Sequence, residues 1–287
     1  MTPFTLLRKT ASRFRSAGIP DPETDSALLL SFLTGGAPLV LRLDNETELT
    51  PEVLDAYSAL AERRIAREPL QYIIGESPFF GHDFLVDPRV LIPRPETELL
   101  CSWALELIPS SAAWNVLDLC CGSGCIGLSL ALARPSLSLT LSDISEEALS
   151  VAGTNAKRLG VQAVLHRGDL AEGFPPSTFD LVVSNPPYIP SNECSSLQPE
   201  VLREPVLALD GGTDGLDFYR RIAAESSSIL KANGLLLMEL GFGESKDVSD
   251  ILLSAGFTDV SVREDLNGIP RMILASASCS EGLCLTD

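Results

Sequence analysis

Residues 114–127 read WNVLDLCCGSGCIG, and this stretch decides the fold. The apolar part, 114–119, predicts a buried strand, and the apolar residues beyond the glycines predict a helix. Gly122, Gly124 and Gly127 have the G-x-G-x-x-G spacing of a turn that binds a nucleoside cofactor between a strand and a helix. A tight strand-to-helix turn without any ligand is the alternative interpretation of these glycines.

Two acids near this turn indicate which cofactor it binds. Asp143 closes the next predicted strand, at the place where a carboxylate meets ribose hydroxyls. Asp118 lies at the end of the first strand, where its charge would oppose a pyrophosphate on the helix N-terminus. The same charge tolerates or holds the ammonium and sulfonium groups of S-adenosylmethionine. The pattern therefore favours S-adenosylmethionine over a nicotinamide cofactor.

A second informative stretch is Asn185-Pro186-Pro187-Tyr188, which follows a predicted buried strand at 179–184. The two prolines end the strand and fix the direction of the chain. Such a corner can aim the side-chain oxygen of Asn185 and the carbonyl of Pro186 at one point, where two acceptors suit a planar –NH2 group. Tyr188 can lie flat against that group. An ordinary strand-ending turn is the alternative interpretation.

Strands and helices alternate in the larger part of the chain, which predicts an α/β fold with a mostly parallel sheet. Seven strands are predicted, near 114–119, 137–142, 161–166, 179–184, 234–240, 257–262 and 271–276. Four helices are predicted, at 95–107, 145–159, 216–231 and 244–254. Four polar side chains stand at carboxyl ends of strands, so we expect them to share one pocket. They are Asp118, Asp143, Asp169 and Asn185.

Four segments differ in their patterns, namely 1–68, 69–91, 92–277 and 278–287. The first predicts only helices, with starts at Asp21-Pro22 and Thr50-Pro51. The second contains a hairpin pattern around Gly81-His82. The third holds the alternating strands and helices, and its long loop at 192–214 is either a substrate lid or a disordered excursion. The fourth is a short tail that we expect to be disordered.

Composition narrows the classes of function. The net charge of −18 argues against a nucleic-acid partner, because phosphate binding depends on lysine and arginine, and it suits a protein substrate better. No uncharged apolar run is long enough for a membrane span, and the N-terminus lacks an apolar secretory core. The seven cysteines fall largely in predicted strands and helices, which indicates reduced thiols in a cytoplasm. Their spacing does not match a zinc site.

Several separated motifs resemble the HemK/PrmC family of class I methyltransferases, the peptide chain release factor glutamine methyltransferases. The motifs are PLQYIIG at 69–75, LIPRPETE at 91–98, VSNPPYI at 183–189, Glu204-Pro205 and DGGTDGL at 210–216. The Asn-Pro-Pro-Tyr motif is shared with methyltransferases that act on the amino group of adenine. The motifs at 91–98 and 210–216 are more specific to the release factor enzymes.

The resemblance implies a Rossmann-like fold with a seven-stranded sheet whose last strand is antiparallel. It also implies a small helical N-terminal domain that docks the substrate and a β-hairpin linker at 69–91. By resemblance, the methionine part of the cofactor contacts the loop Cys120-Cys121-Gly122-Ser123-Gly124. Asp143 accepts hydrogen bonds from both ribose hydroxyls, Asp169 accepts one from the adenine amino group, and Leu170 packs on the adenine ring.

The reaction implied by the resemblance is methyl transfer from S-adenosylmethionine to the amide nitrogen of the glutamine in the Gly-Gly-Gln motif of release factors. Asn185 and the Pro186 carbonyl would hold both amide hydrogens, and Tyr188 would position the amide plane. No histidine-type general base is apparent. Two alternatives stay open: an adenine amino-group methyltransferase acting on DNA or RNA, and a non-catalytic binding protein with a vestigial nucleotide fold.

Overall fold

A computed structural model of the chain describes residues 1–278 and divides into two compact units. The first unit contains Met1–Glu76 together with Gln198–Arg203. The second contains Ser77–Leu197 and the described residues from Glu204 onward. The first unit thus extends past residue 68, the predicted end of the helical domain, into the segment predicted as a linker. Apart from Ser278, the predicted tail lies outside the described residues.

The first unit is helical, as the sequence predicts. Its helices are α1 (Pro3–Ser16), α2 (Pro22–Thr34), α3 (Pro38–Leu43), α4 (Pro51–Ile65) and α5 (Leu70–Ile74). The predicted start of α4 is confirmed, because the Thr50 hydroxyl accepts a hydrogen bond from the Val53 backbone N–H. Asp21 precedes α2 but its side chain makes no capping hydrogen bond, so the predicted cap is wrong. The predicted proline at the first helical position, Pro22, is confirmed. The core of the unit includes the fully buried Phe14 and Tyr57.

A buried cation ties the segment Gln198–Arg203 into the first unit. Arg64 of α4 is 4% exposed and donates to Asp25 at 2.7 Å and to Glu200 at 2.8 Å. Arg67 donates to both oxygens of Glu200. Burial alone would raise the pKa of Glu200, but the hydrogen bonds from the two arginines outweigh it and lower the pKa to about 2. This segment of the long loop is therefore held by charge-assisted hydrogen bonds.

The second unit contains a hairpin and a large sheet. The hairpin strands are β1 (Glu76–Phe79), which begins at the last residue of the first unit, and β2 (His82–Leu85). The sheet strands are β3 (Asn115–Leu119), β4 (Ser138–Asp143), β5 (Ala163–Arg167), β6 (Phe179–Ser184), β7 (Leu230–Glu239), β8 (Phe257–Glu264) and β9 (Pro270–Ala277). The helices are α6 (Pro95–Leu107), α7 (Cys125–Ala133), α8 (Glu146–Leu159), α9 (Asp217–Ile229) and α10 (Ser245–Ser254).

The strand order in the sheet is β5-β4-β3-β6-β7-β9-β8. The first five strands in this order are parallel, and β9 runs antiparallel to both of its neighbours. The predicted seven strands, the mostly parallel sheet and the antiparallel last strand are confirmed. The order of the strands reverses at β3, because β4 and β5 lie on one side of it and β6 and β7 on the other. Ligands bind at such a point in this kind of sheet.

The predicted helix at 216–231 was wrong at its end. Helix α9 ends at Ile229, and β7 begins at Leu230, which pairs with Phe179 of β6. The amine of Lys231 binds Asp180 at 2.7 Å. Pairing with a neighbouring strand thus overrides the local helical pattern of these residues, because backbone partners in the sheet are available to them.

Both faces of the central strands are buried. Val116 packs in one core cluster with Leu128 and Leu141, whereas Leu117 packs in a second cluster with Ile222. Successive residues of β3 thus face opposite helical layers, which explains why its sequence is a continuous apolar run. No helix within residues 1–278 is long and apolar enough to cross a membrane.

The long loop predicted at 192–214 contains three short 3₁₀ turns, Cys194–Ser196, Val201–Arg203 and Val206–Ala208. Its middle, Gln198–Arg203, belongs to the first unit. From Glu204 onward it is part of the second unit, where Pro205, Leu207 and Ala208 line a cleft. The alternative of a disordered excursion is therefore wrong for this loop.

Candidate active site

A cleft of about 890 Å³, including its open mouth, lies at the carboxyl ends of the parallel strands. Seven of the predicted site residues line it: Cys120, Gly122, Asp143, Asp169, Leu170, Asn185 and Pro187. The cleft thus lies at the ends of β3, β4, β5 and β6. Three of the four side chains that were predicted to share a pocket line it, namely Asp143, Asp169 and Asn185, whereas Asp118 does not.

Six other predicted site residues do not line this cleft. They are Asp118, Cys121, Ser123, Gly124, Pro186 and Tyr188. Asp118, Cys121 and Ser123 are buried. Pro186 and Tyr188 belong to the corner whose neighbours, Asn185 and Pro187, do reach the cleft. The contacts of all thirteen predicted site residues with cofactor or substrate remain predictions.

The turn after β3 is held to the neighbouring strand by backbone and carboxylate contacts. The Cys121 N–H donates to the Ser142 carbonyl at 3.0 Å. The Gly122 N–H donates to one carboxylate oxygen of Asp143 at 2.9 Å, and the Ser145 N–H donates to the other at 2.9 Å. Each oxygen keeps acceptor capacity for another partner. Burial raises the pKa of Asp143, against the effect of these hydrogen bonds.

Two non-glycine residues of the cleft have positive φ angles. Cys120 has a φ of 59° and Leu170 has a φ of 53°. This conformation is strained for residues with a Cβ atom, and it is found preferentially at sites where the surrounding structure imposes it. Cys120 directly follows β3, and Leu170 lies three residues after the end of β5. Both residues line the cleft. Neither conformation was apparent from the sequence.

Asp118 has a structural contact. Its side chain is fully buried, and one oxygen accepts a hydrogen bond from the Gly127 N–H at 2.8 Å, in the first turn of α7. Its other oxygen has no partner among the described residues. Burial raises the pKa of Asp118 to about 7. A Cβ atom on Gly127 would lie 2.9 Å from the Asp118 Cβ, so only glycine allows the helix to approach the strand this closely.

Asp169 has a cationic partner that sequence reasoning missed. One of its oxygens pairs with Arg221 of α9 at 3.0 Å, and both residues line the cleft. The two side chains are about two-fifths exposed, so the pair is screened by solvent. No pattern in the sequence joins positions 169 and 221. The other oxygen of Asp169 is the acceptor available for the predicted contact with an adenine amino group.

The Asn185 side chain is the start of a hydrogen-bond relay. Its amide nitrogen donates to the Thr97 hydroxyl at 3.3 Å, and that hydroxyl donates to Glu239 at 2.6 Å. The Tyr188 hydroxyl lies 3.4 Å from the other carboxylate oxygen of Glu239, to which it donates. Burial raises the pKa of Glu239 to about 7 and raises that of Tyr188 well above its usual range. Thr97 and Glu239 were absent from the predicted site.

The motif at 210–216 braces the same corner. The Gly211 N–H donates to the Ile189 carbonyl at 2.8 Å, and the Ile189 N–H donates to the Leu209 carbonyl at 2.9 Å. A Cβ atom on Gly215 would lie 2.6 Å from the Tyr188 carbonyl oxygen, so a side chain does not fit there. The sequence drew attention to this motif through the family resemblance but gave no contact for it.

Glu204 of the Glu204-Pro205 motif contacts the motif at 91–98. It is 4% exposed, accepts a hydrogen bond from the Ile92 N–H at 2.9 Å and forms an ion pair with Arg94 at 2.5 Å. The Glu-Pro pair therefore holds the start of the Ile-Pro-Arg-Pro segment, and Pro205 beside it lines the cleft. No group of three or more histidine, cysteine or acidic side chains within residues 1–278 is arranged to hold a metal ion.

Comparison with known proteins gives matches along most of the chain. Residues 5–75 match the PrmC N-terminal domain family, and residues 97–212 match the methyltransferase small domain family. A release factor glutamine methyltransferase from Geobacter sulfurreducens is 42% identical over 257 residues, which cover 89% of this chain and 90% of the relative. One from Chlorobaculum tepidum is 41% identical over 278 residues, which cover 93% and 94%.

Solved structures share the fold. A methyltransferase from Pyrococcus furiosus superposes with a TM-score of 0.53 over 77% of this chain and 96% of that chain. The two sequences are 17% identical, so this likeness concerns the fold alone.

Proposed function

The chain belongs to the family of release factor glutamine methyltransferases, and from this premise we propose the reaction that it catalyses. It transfers a methyl group from S-adenosylmethionine to the side-chain amide nitrogen of the glutamine in the Gly-Gly-Gln motif of peptide chain release factors. The observation that carries the proposal is the position of Asn185. It lines the same cleft as Gly122 of the glycine turn and Asp143.

The residues of the cleft fit S-adenosylmethionine. Both oxygens of Asp143 are oriented by backbone N–H groups and keep lone pairs for the two ribose hydroxyls. Asp169 would accept a hydrogen bond from the adenine amino group, and the buried Leu170 would pack on its ring. The turn from Cys120 to Gly124 would hold the methionine part, with Gly122 giving its backbone close approach. The bound cofactor supplies an electrophilic methyl group, whose bonding electron pair stays on sulfur after transfer.

The corner at 185–188 activates the amide nitrogen of the substrate. An amide nitrogen is a poor nucleophile because its lone pair is delocalised into the carbonyl. The Asn185 side-chain oxygen and the Pro186 carbonyl accept its two hydrogens, which favours the geometry in which the lone pair is available. They also stabilise the positive charge that develops on nitrogen as the new N–C bond forms. Fixing the reactants in line contributes the rest of the rate enhancement.

The proton leaves the nitrogen once the new bond has formed, because the methylated nitrogen is then acidic. The raised pKa of Tyr188 keeps its hydroxyl protonated, so it acts in positioning and not as a base. Pro187 fixes the backbone between Asn185 and Tyr188. The acceptor of the departing proton is water or a carbonyl near the corner.

A protein substrate agrees with the charge of the chain. The net charge of −18 opposes binding of a phosphate backbone, which disfavours the alternative adenine methyltransferase on DNA or RNA. We further infer that the helical domain, 1–68, docks the release factor. The site of action would be the cytoplasm, where translation termination occurs and where free thiols such as Cys101 and Cys194 stay reduced.

A methylation assay tests the proposal. The purified chain is incubated with labelled S-adenosylmethionine and either a release factor, duplex DNA or RNA, and the products are analysed by mass spectrometry. We expect one added methyl group, on the glutamine of the Gly-Gly-Gln motif. Label on adenine and none on the release factor would replace the proposal by its alternative. Label on neither would support a non-catalytic role.

A further inference from the structure

Glu239 is a buried acid that the proposed reaction does not use directly. It ends β7, is 3% exposed and does not line the cleft. A buried carboxylate is costly unless its oxygens accept hydrogen bonds. Both oxygens of Glu239 do so, one from Thr97 and the other from Tyr188. Glu239 therefore fixes the direction in which the hydroxyl groups of Thr97 and Tyr188 donate.

The donors and acceptors of this relay can be counted. An ionised carboxylate only accepts hydrogen bonds, so the Thr97 hydroxyl must give its single hydrogen to Glu239. The Thr97 oxygen can then only accept. Its neighbour Asn185 must therefore present the NH2 end of its amide, as the 3.3 Å contact has it. The amide oxygen of Asn185 remains for another partner.

The order of donors and acceptors from Glu239 to Asn185 matters because an asparagine amide can be flipped with little change in shape. In one orientation its oxygen is free to accept a substrate hydrogen. In the other its NH2 group would meet the substrate NH2 group, and two donors would oppose each other. Only a partner that accepts without donating can select the productive orientation. Thr97 becomes such a partner when its hydrogen is taken by Glu239.

We propose that Glu239 is a positioning residue, which acts through Thr97 to fix the side-chain oxygen of Asn185 as the acceptor for the substrate amide. The inference rests on the proposed function, because it concerns the orientation of the acceptor in that reaction. Glu239 holds the same corner at a second point through the Tyr188 hydroxyl. The polarity of the relay is thus set from a carboxylate that the substrate does not touch.

Thr97→Val tests the relay, because valine has nearly the shape of threonine but lacks the hydroxyl. We expect kcat for release factor methylation to fall by roughly 100-fold, as for loss of one preorganised polar group in a site. The KM values for both substrates should change little, because Asn185 would still fill its place. Thr97→Ser restores the hydroxyl and should recover most of the wild-type kcat. Thr154→Val, at an exposed position of α8, is the matched control and should leave kcat unchanged.

The outcomes separate positioning from packing. A Thr97→Val enzyme with wild-type kcat would overturn the relay. So would a Thr97→Ser enzyme as slow as Thr97→Val, because the methyl group of threonine and not its hydroxyl would then be required. Thermal melting of each variant reports whether it has folded, and the test with Glu239→Gln does not depend on the Thr97 variants.

Glu239→Gln adds a pH readout. Glutamine has the same shape but can offer either an oxygen or an NH2 group to Thr97, and it does not titrate. The titratable and charged groups around Glu239 are Glu96, Cys101, Cys125, Tyr188, Tyr219 and Arg271. The raised pKa values of the cysteines and tyrosines among them keep those groups neutral near pH 7.

In the wild type, kcat should rise with pH through about 7, the pKa of Glu239, as the relay acquires its fixed polarity. In Glu239→Gln, kcat should be lower at pH 8 and this rise should be absent. An unchanged rise in the variant would overturn the assignment to Glu239. If the wild type does not methylate a release factor, the proposed function fails and the inference with it. If the wild type is active and these variants match it, only the inference fails.

Discussion

The two sides of the cleft are built in different ways. On the side that we propose for the cofactor, the glycine turn and Asp143 are 21 residues apart at their contact, and the turn is held through backbone N–H groups. On the side that we propose for the substrate, the contacts between side chains span much longer separations. Asn185 and Thr97 are 88 residues apart, and Thr97 and Glu239 are 142 residues apart.

The difference shows how each side obtains its precision. Backbone groups in a tight turn are oriented by local geometry, so the cofactor side needs few side-chain partners. An amide side chain has two nearly equivalent orientations, so the substrate side needs a fixed sequence of donors and acceptors. We therefore expect substitutions on the cofactor side to change affinity and substitutions on the substrate side to change turnover.

Asn185→Ala should have the largest effect. Removing the side-chain acceptor should lower kcat roughly 1,000-fold, the upper end for one preorganised polar group, while cofactor affinity changes by a modest factor. Steady-state kinetics with a release factor and calorimetric titration with S-adenosylmethionine measure the two quantities. Asn192→Ala, at an exposed position, is the control. Near-normal turnover in Asn185→Ala would remove the assigned role.

Asp143→Ala should act in the opposite way. Losing charge-assisted hydrogen bonds to the two ribose hydroxyls should weaken cofactor binding by roughly 100-fold or more, because each such bond contributes about 1.5–3 kcal/mol. At saturating cofactor, kcat should stay close to that of the wild type. Asp83→Ala, an exposed acid in the hairpin, controls for the change in net charge. If kcat fell while affinity held, the division between the two sides would be wrong.

Gly215→Ala tests the brace behind the substrate corner. Its φ of 80° strains any residue with a Cβ, and the added Cβ would lie 2.6 Å from the Tyr188 carbonyl oxygen. Gly81→Ala is a matched control, because Gly81 has the same φ of 80° and no atom within 4 Å of an added Cβ. Denaturant unfolding should show Gly215→Ala to be less stable than Gly81→Ala by about 1–3 kcal/mol. Equal stabilities would mean that the clash is relieved at no cost.

Asp118→Asn should have the smallest effect, and it separates structure from cofactor contact. The pKa of Asp118 in the folded chain, about 7, lies above its usual value of 3.8. Folding therefore favours the protonated acid, and the stability that it contributes is present below about pH 4 and lost as the pH rises through 7. The wild-type melting temperature should fall between about pH 4 and 7, and asparagine should reduce this fall.

The same variant reports on the cofactor. Asparagine can still accept the hydrogen bond from the Gly127 N–H, so the helix start should persist. Unchanged affinity for S-adenosylmethionine would make Asp118 a purely structural residue. A large loss of affinity would instead restore the cofactor role expected from the sequence.

Much of the fold could be predicted from local patterns. The strands β3 and β6, the helix α6 and the start of α4 follow from apolar runs, prolines and a capping threonine. The end of α9 could not be predicted, because Leu230 is drawn into the sheet by pairing with Phe179. The pattern near 230 suits a helix as well as a strand, and only the partner strand decides between them.

The candidate site divides in the same way. Asp143 and Asn185 were found because the first is the last residue of a strand and the second follows one directly, and parallel strands bring such ends together. Arg221 and Glu239 were missed because no motif distinguishes either residue. Thr97 was missed although it lies in the motif at 91–98, because that motif gives no contact for its hydroxyl. Asp118 was predicted to bind the cofactor, and this stays a prediction. In the structure it accepts a hydrogen bond from the Gly127 N–H in the first turn of α7.

The sequence by itself determined the alternation of strands and helices, the glycine turn and the rigid corner at 185–188, because periodicity, glycine and proline act over a few residues. Only the tertiary structure decided that the side-chain oxygen of Asn185 is left to accept a hydrogen bond and that Asp118 and Glu239 are buried. It also decided that the motif at 210–216 packs against the corner. Those features depend on donors and acceptors that meet across the sheet, and a hydrogen-bond partner is defined by position in space and not by distance along the chain.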